Sequence, residues 1–182
     1  MGTLSASAVG KGVSTMQKLD TRTLVRLAII AAAYVALTFA SMPLAYGMIQ
    51  FRVSEVLTLL CFYNKRYRYA LILGCFIVNL FSPLGWYDVV FGTLATAFAV
   101  YFIPKCKNIF VASLFPTLSN IIVGLELYFL FGDASLPVTV GSVMAGEFAV
   151  VTVIAVPLFL TLQKRTSFLR LIEADQNLPQ GA

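Results

Sequence analysis

The chain has 182 residues, 59% of them hydrophobic and only 12% charged, with a formal net charge of +5. A soluble domain of this length carries about twice that charged fraction, so the composition excludes a water-facing globule and makes lipid the solvent. Histidine is absent, which removes the commonest general base and the commonest metal ligand together.

Residues 1–19 are small, polar and Gly/Ser-rich, without the continuous apolar core of a signal peptide. They read as a disordered tail in which Met16 is a candidate native start. Gly2 lacks a myristoylation context, because position 6 is Ala6. Residues 20–170 form one membrane domain, and residues 171–182 a frayed polar tail. Six apolar segments follow in order, at about 23–42, 54–63, 67–82, 87–103, 108–131 and 138–163. Asp20 and Thr21 are candidate caps for the first, which Pro43 stops. A full crossing needs roughly 20 residues, so the second is short and the third marginal. Pro116 and Pro157 fall inside the last two, where neighbouring helices or water satisfy the freed carbonyls.

The cations set the topology. Lys11, Lys18, Arg22 and Arg26 lie at or before the start of segment one. Lys65, Arg66 and Arg68 lie between two and three, Lys105 and Lys107 between four and five, and Lys164, Arg165 and Arg170 after six. With six crossings all of these fall on one side, and the positive-inside rule makes it the cytoplasm, with both termini inside. Of the thirteen Lys and Arg, only Arg52 departs.

On that topology the remaining polar residues gather in the outer half. Arg52 and Glu55 open segment two, Asn79 closes segment three, and Asp88 opens segment four beside Trp86. Glu126 lies about 8 Å below the outer end of segment five, Glu147 is nine residues into segment six, and Asn120 is deeper. Ionisable groups in a bilayer core are costly and mark functional paths, so this set reads as an outward-open pocket. The interfacial reading, contact with headgroups and water, competes most strongly for Arg52, Glu55 and Asp88. Arg52 and Glu55 are three apart, close enough to neutralise each other on one helix face, with the first outer loop, 43–52, as a lid. Ser119 and Glu126 share a face of segment five, and Gly92, Ala95 and Ala99 read as close helix packing. Ala28, Ala32 and Ala36 form a small-residue stripe on segment one, which by itself reads as packing within the bundle.

Several chemistries are excluded. There is no P-loop, no metal-ligand spacing and no nucleophile with a histidine base. Cys61, Cys75 and Cys106 have neither metal nor convincing disulfide spacing. The reading is therefore an all-α integral membrane protein that is not an enzyme, with no metal or cofactor and no nucleic-acid partner.

The motifs "QFRVSEVLTLL" and "NLFSPLGWYDVVFGTLAT", with the later "GE" at 146–147, resemble the QueT group of substrate-binding S components of energy-coupling factor (ECF) transporters. The resemblance covers roughly residues 18–170 and departs at "CFYNKRYRY", which is more basic and aromatic than the group's pattern. It implies a six-helix S-component fold in the prokaryotic plasma membrane. It also implies capture of a queuosine precursor, or related purine-like base, from outside. Delivery follows docking on a transmembrane coupling subunit carried by two ATPases. Under it Ala28, Ala32 and Ala36 become the docking surface. Glu147 and Glu126 become the leading ligand carboxylates and Asp88 the third. Asn79 or Asn120 would meet the base's carbonyl edge, Trp86 would cover its face, and Arg52 and Glu55 would line the wall. The alternative is a stand-alone secondary transporter of a nucleobase-like or vitamin-like solute that uses buried glutamates.

Overall fold

The computed structural model describes residues 20–42, 50–132 and 134–174, all helix, turn or irregular chain without a strand. The expected N-terminal tail, residues 175–182 of the expected C-terminal tail and most of the expected lid, 43–49, lie outside the described residues, whereas residues 171–174, expected to fray, pack back on the bundle, with Ile172 only 6% exposed. The helices are α1 (Thr21–Ala40), α2 (Val53–Tyr63), α3 (Tyr67–Asn79), α4 (Trp86–Lys105), α5 (Ile109–Phe131), α6 (Leu136–Leu162) and a short α7 (Thr166–Leu171). Each of the six apolar segments is a helix. Four of them, α1, α4, α5 and α6, are long and apolar enough to cross a membrane. Asp20 takes the cap position of α1, but its side chain makes no cap hydrogen bond.

Beyond the 3-10 end turn of α4, Ile103–Lys105, three helices depart from regular α geometry, each near a polar residue singled out above. α2 is a 3-10 helix over Val53–Leu59 and α-helical only over Leu60–Tyr63. A 3-10 helix rises about 2.0 Å per residue against about 1.5 Å, so the short segment reaches further than its residue count suggests. It packs against α1, α3, α4, α5 and α6. Irregular backbone at membrane depth is tolerated where protein surrounds it, and α2 has that position.

α5 breaks at Asn120 into Ile109–Ser119 and Ile121–Phe131. Pro116 lacks an N–H and disturbs the turn before the break. Its carbonyl accepts from the Asn120 N–H at 3.1 Å and the Ser119 hydroxyl at 2.9 Å. α6 widens to a π-helix over Phe148–Ala155, directly after Glu147, and returns to α pairing at Val156 and Pro157. π segments are rare and concentrate at functional sites.

One end of the bundle is tied together by the start of α1 and the residues after α7. Tyr67 Oη donates to the Ile172 carbonyl at 2.8 Å, and Asn64 Nδ2 to the Glu173 carbonyl at 2.9 Å. Glu173 also pairs with Arg26 at the start of α1. The start of α1, the α2–α3 turn and the segment after α7 therefore meet at one end. The main apolar core lies above them, around Tyr34, Leu59, Tyr63, Leu71, Val100, Val151 and Phe159.

Candidate functional site

Arg52 precedes α2 and is 6% exposed, with Asp88 fully buried opposite it. One guanidinium nitrogen donates to both Asp88 carboxylate oxygens, at 3.1 and 3.0 Å. Glu55, the neutralising partner expected three residues on, lies within the electrostatic reach of Arg52 and has hydrogen-bond partners of its own. Glu55 accepts from the Tyr34 hydroxyl of α1, and from Thr96 Oγ1 of α4 at 3.4 Å.

Asn79, at the last turn of α3, is fully buried. Its Nδ2 donates to the Asp88 carbonyl at 3.0 Å and to Thr93 Oγ1 at 3.3 Å, and also contacts Cys75 Sγ at 3.4 Å. This ties α3 to α4 behind the ion pair. Gly92, one turn after Asp88, leaves the space for it. A Cβ there would lie 2.5 Å from Asp88 Oδ1 and 2.8 Å from Asn79 Nδ2. Gly92→Ala should displace the ion pair at a cost of about 1–3 kcal/mol, read as a lower unfolding temperature. An unfolding temperature equal to that of the unsubstituted protein would contradict this role.

On the other side of the bundle, the break in α5 and the π segment of α6 face each other. Asn120 Nδ2 donates to Glu147 Oε2 at 3.1 Å. Glu147 is 1% exposed, and its Oε1 has no hydrogen-bond partner among the described residues. Glu126, on the second half of α5, is 5% exposed with neither carboxylate oxygen partnered there. Gly146 lets the chain at Gln50 pass directly over α6, because a Cβ on it would collide with the Gln50 carbonyl. This contact brings the residues leading to Arg52 across the helix that carries Glu147.

Arg52 joins the two halves. Beyond its contact with Asp88, it lies within electrostatic reach of Glu55, Glu126 and Glu147. Glu126 in turn feels Asp88, and Glu147 feels Glu55. Four carboxylates surround one guanidinium in protein that nearly excludes solvent. Such a set is costly unless every charge has partners, and here three carboxylate oxygens, together with Asn79 Oδ1, have none among the described residues. All four of those atoms are hydrogen-bond acceptors when the carboxyls are ionised. The arrangement can receive a donor-rich, cationic group. Among the described residues no cluster of His, Cys, Asp and Glu has metal-holding geometry.

Trp86 stands apart from the buried set, 75% exposed on the first turn of α4. Ala28, Ala32 and Ala36 lie together on the exposed face of α1, while Ala31, Tyr34 and Thr38 form its buried face. Sequence reasoning missed Tyr34 and Thr96 as partners of Glu55, and read Gly92 only as helix packing. The one sequence signal for Gly92 was its four-residue step from Asp88.

The QueT transporter family profile matches residues 24–164. The queuosine precursor transporter QueT of Lactococcus lactis subsp. cremoris (strain MG1363) is 35% identical over 151 residues, covering 74% of this chain and 88% of that protein. No solved structure matches the chain.

Proposed function

This chain belongs to the QueT transporter family, and from that premise we propose that it is the substrate-binding S component of an ECF importer for a queuosine precursor. As a family member it is a multi-pass membrane transporter rather than an enzyme. The proposed cycle runs in three steps. A 7-deazaguanine base enters from outside, settles among the buried carboxylates, and is released inward after docking on a coupling subunit driven by two ATPases.

The observation that carries the ligand reading is the set of buried acceptors without partners on Glu126, Glu147 and Asn79. A deazaguanine presents a ring N–H and an amino group on adjacent edge positions. One carboxylate can accept both, and charge-assisted hydrogen bonds are the strong ones. Glu147 and Glu126 take the base edge and any cationic substituent, with Asp88 held in reserve by Arg52. Asn79 has committed its NH2 to Asp88, Thr93 and Cys75, so only its oxygen remains to meet a ligand donor. Asn120 orients Glu147 and keeps one N–H for the base carbonyl. Trp86, two residues before Asp88, is assigned to the mouth of the site, where it closes over a planar base. Glu55, held by Tyr34 and Thr96, completes the wall.

Six crossings with both termini in the cytoplasm fit the contacts at the tied end of the bundle. The start of α1, the α2–α3 turn and residues 172–173 meet there, as an even number of crossings requires. The cations of the chain cluster toward the same loops.

The purified protein should be stabilised against thermal unfolding by 7-deazaguanines and not by thiamine or riboflavin. No stabilisation by any deazaguanine would overturn the ligand assignment. Uptake that persists without the ATPase pair would instead favour a stand-alone secondary transporter.

The exposed Ala28, Ala32 and Ala36 face supplies the docking surface, because small side chains let two helices approach closely in lipid. Ala32→Leu should abolish co-purification of the coupling subunit and ATPases while ligand-induced stabilisation is retained. Undiminished capture of the ATPases by the Leu variant would sink the docking assignment.

A further inference from the structure

Away from the carboxylate cluster, a groove of about 720 Å³ runs along the outer surface of α3 and α4. Its walls are apolar: Ile72 on α3, Leu94, Ala97 and Phe98 on α4, and Ile122 on α5. Arg68 and the aromatic rings of Tyr69 and Tyr101 also line it, with no acidic side chain among its lining residues. The Arg68 guanidinium lies 4.9 Å from the Tyr69 ring centroid and donates to the Tyr69 hydroxyl at 3.0 Å. Its Nε is buried without a hydrogen-bond partner among the described residues. A second cation stands beside that end: Lys105 Nζ lies 3.6 Å over the Tyr101 ring and 4.7 Å from the Phe102 centroid. Ring faces attract a cation electrostatically but leave its N–H groups free to donate.

We propose that this groove seats one acyl chain of an anionic phospholipid, whose phosphate is met by Arg68 and Lys105. The dimensions agree. The lining on α4 runs from Leu94 to Tyr101, a rise of about 10 Å, which seats roughly the upper two-thirds of a chain in a leaflet about 15 Å thick, with Lys105 one turn further on at the headgroup. Charge decides the headgroup. Two cations beside an apolar slot, with no carboxylate in its lining, favour a net negative lipid, as basic pockets between membrane helices do. The basic, aromatic run "CFYNKRYRY" thereby acquires a role that substrate capture does not give it. The site rests only on the membrane location of the chain and is independent of the transported solute.

The full chain, purified in neutral detergent, would be given equal amounts of dioleoyl phosphatidylglycerol and dioleoyl phosphatidylcholine and analysed by native mass spectrometry. Phosphatidylglycerol should be retained roughly thirtyfold over phosphatidylcholine, the preference expected from two cations at a headgroup. Arg68→Gln with Lys105→Gln should abolish the preference, and Ala97→Phe, which fills the groove, should reduce retention of both lipids. Lys65→Gln with Lys107→Gln, outside the groove lining, should leave the preference intact. Equal retention of the two lipids would overturn the proposal. So would a preference that survives in the Arg68/Lys105 variant, or one lost equally in the Lys65/Lys107 variant.

Discussion

Glu147→Gln and Glu126→Gln should each lower affinity for a deazaguanine by about a hundredfold or more. A hydrogen bond to a charged group contributes about 1.5–3 kcal/mol, and one carboxylate meeting two donors of a base edge makes two. The amide keeps the size of the side chain but turns one of its two acceptors into a donor, which then faces an N–H of the ligand. In Glu147→Gln the amide oxygen can still accept from Asn120, which now bonds Glu147 Oε2 at 3.1 Å, so the break in α5 keeps its partner. In Glu126→Gln no hydrogen bond is lost, because neither Glu126 oxygen has a partner among the described residues. Removing an unpaired buried carboxylate should also raise the unfolding temperature of the unliganded protein. A stabilised Glu126→Gln variant that fails to bind separates ligand recognition from folding. Both variants binding as tightly as the unsubstituted protein would remove Glu147 and Glu126 from the site.

Much of the scaffold was legible because it depends on local pattern. Apolar runs bounded by Pro43, Pro104 and the Lys and Arg clusters marked six helices, and the four-residue alanine step marked one face of α1. Both are properties of neighbouring residues. What the sequence did not show was set by contacts distant along the chain. The local spacing of Arg52 and Glu55 pointed to one charge pair but gave no sign that Arg52 also meets Asp88, 36 residues away. Glu55 meets Tyr34, a residue whose apolar surroundings gave no hint of a polar partner. The 3-10 helix of α2 is enclosed by five helices, and the π segment after Glu147 is packed against α5 and α2. Neither has a composition of its own. Pro116 did signal a disturbed helix, but not that the break would fall at Asn120 and aim that amide at Glu147.

The centre of the cluster predicts an asymmetry that no list of pairs would give. Breaking a buried ion pair by removing one partner costs roughly 3–5 kcal/mol, so Asp88→Asn and Arg52→Gln should both lower the unfolding temperature markedly. They should not do so equally. After Asp88→Asn, Arg52 still faces Glu55, Glu126 and Glu147, all within its electrostatic reach. After Arg52→Gln, four carboxylates are left in a buried region with no cation among them, and their mutual repulsion is uncompensated. Arg52→Gln should therefore be the more destabilising of the two. Adding Glu126→Gln to it should recover part of the loss, because one of the repelling charges is gone. After Asp88→Asn three carboxylates still share one guanidinium, a smaller excess of negative charge, so the same second substitution should help it less, a non-additivity that a double-mutant cycle measures directly. Equal costs for the two single variants, or strictly additive effects with Glu126→Gln, would mean that Arg52 serves Asp88 alone and does not hold the carboxylates together.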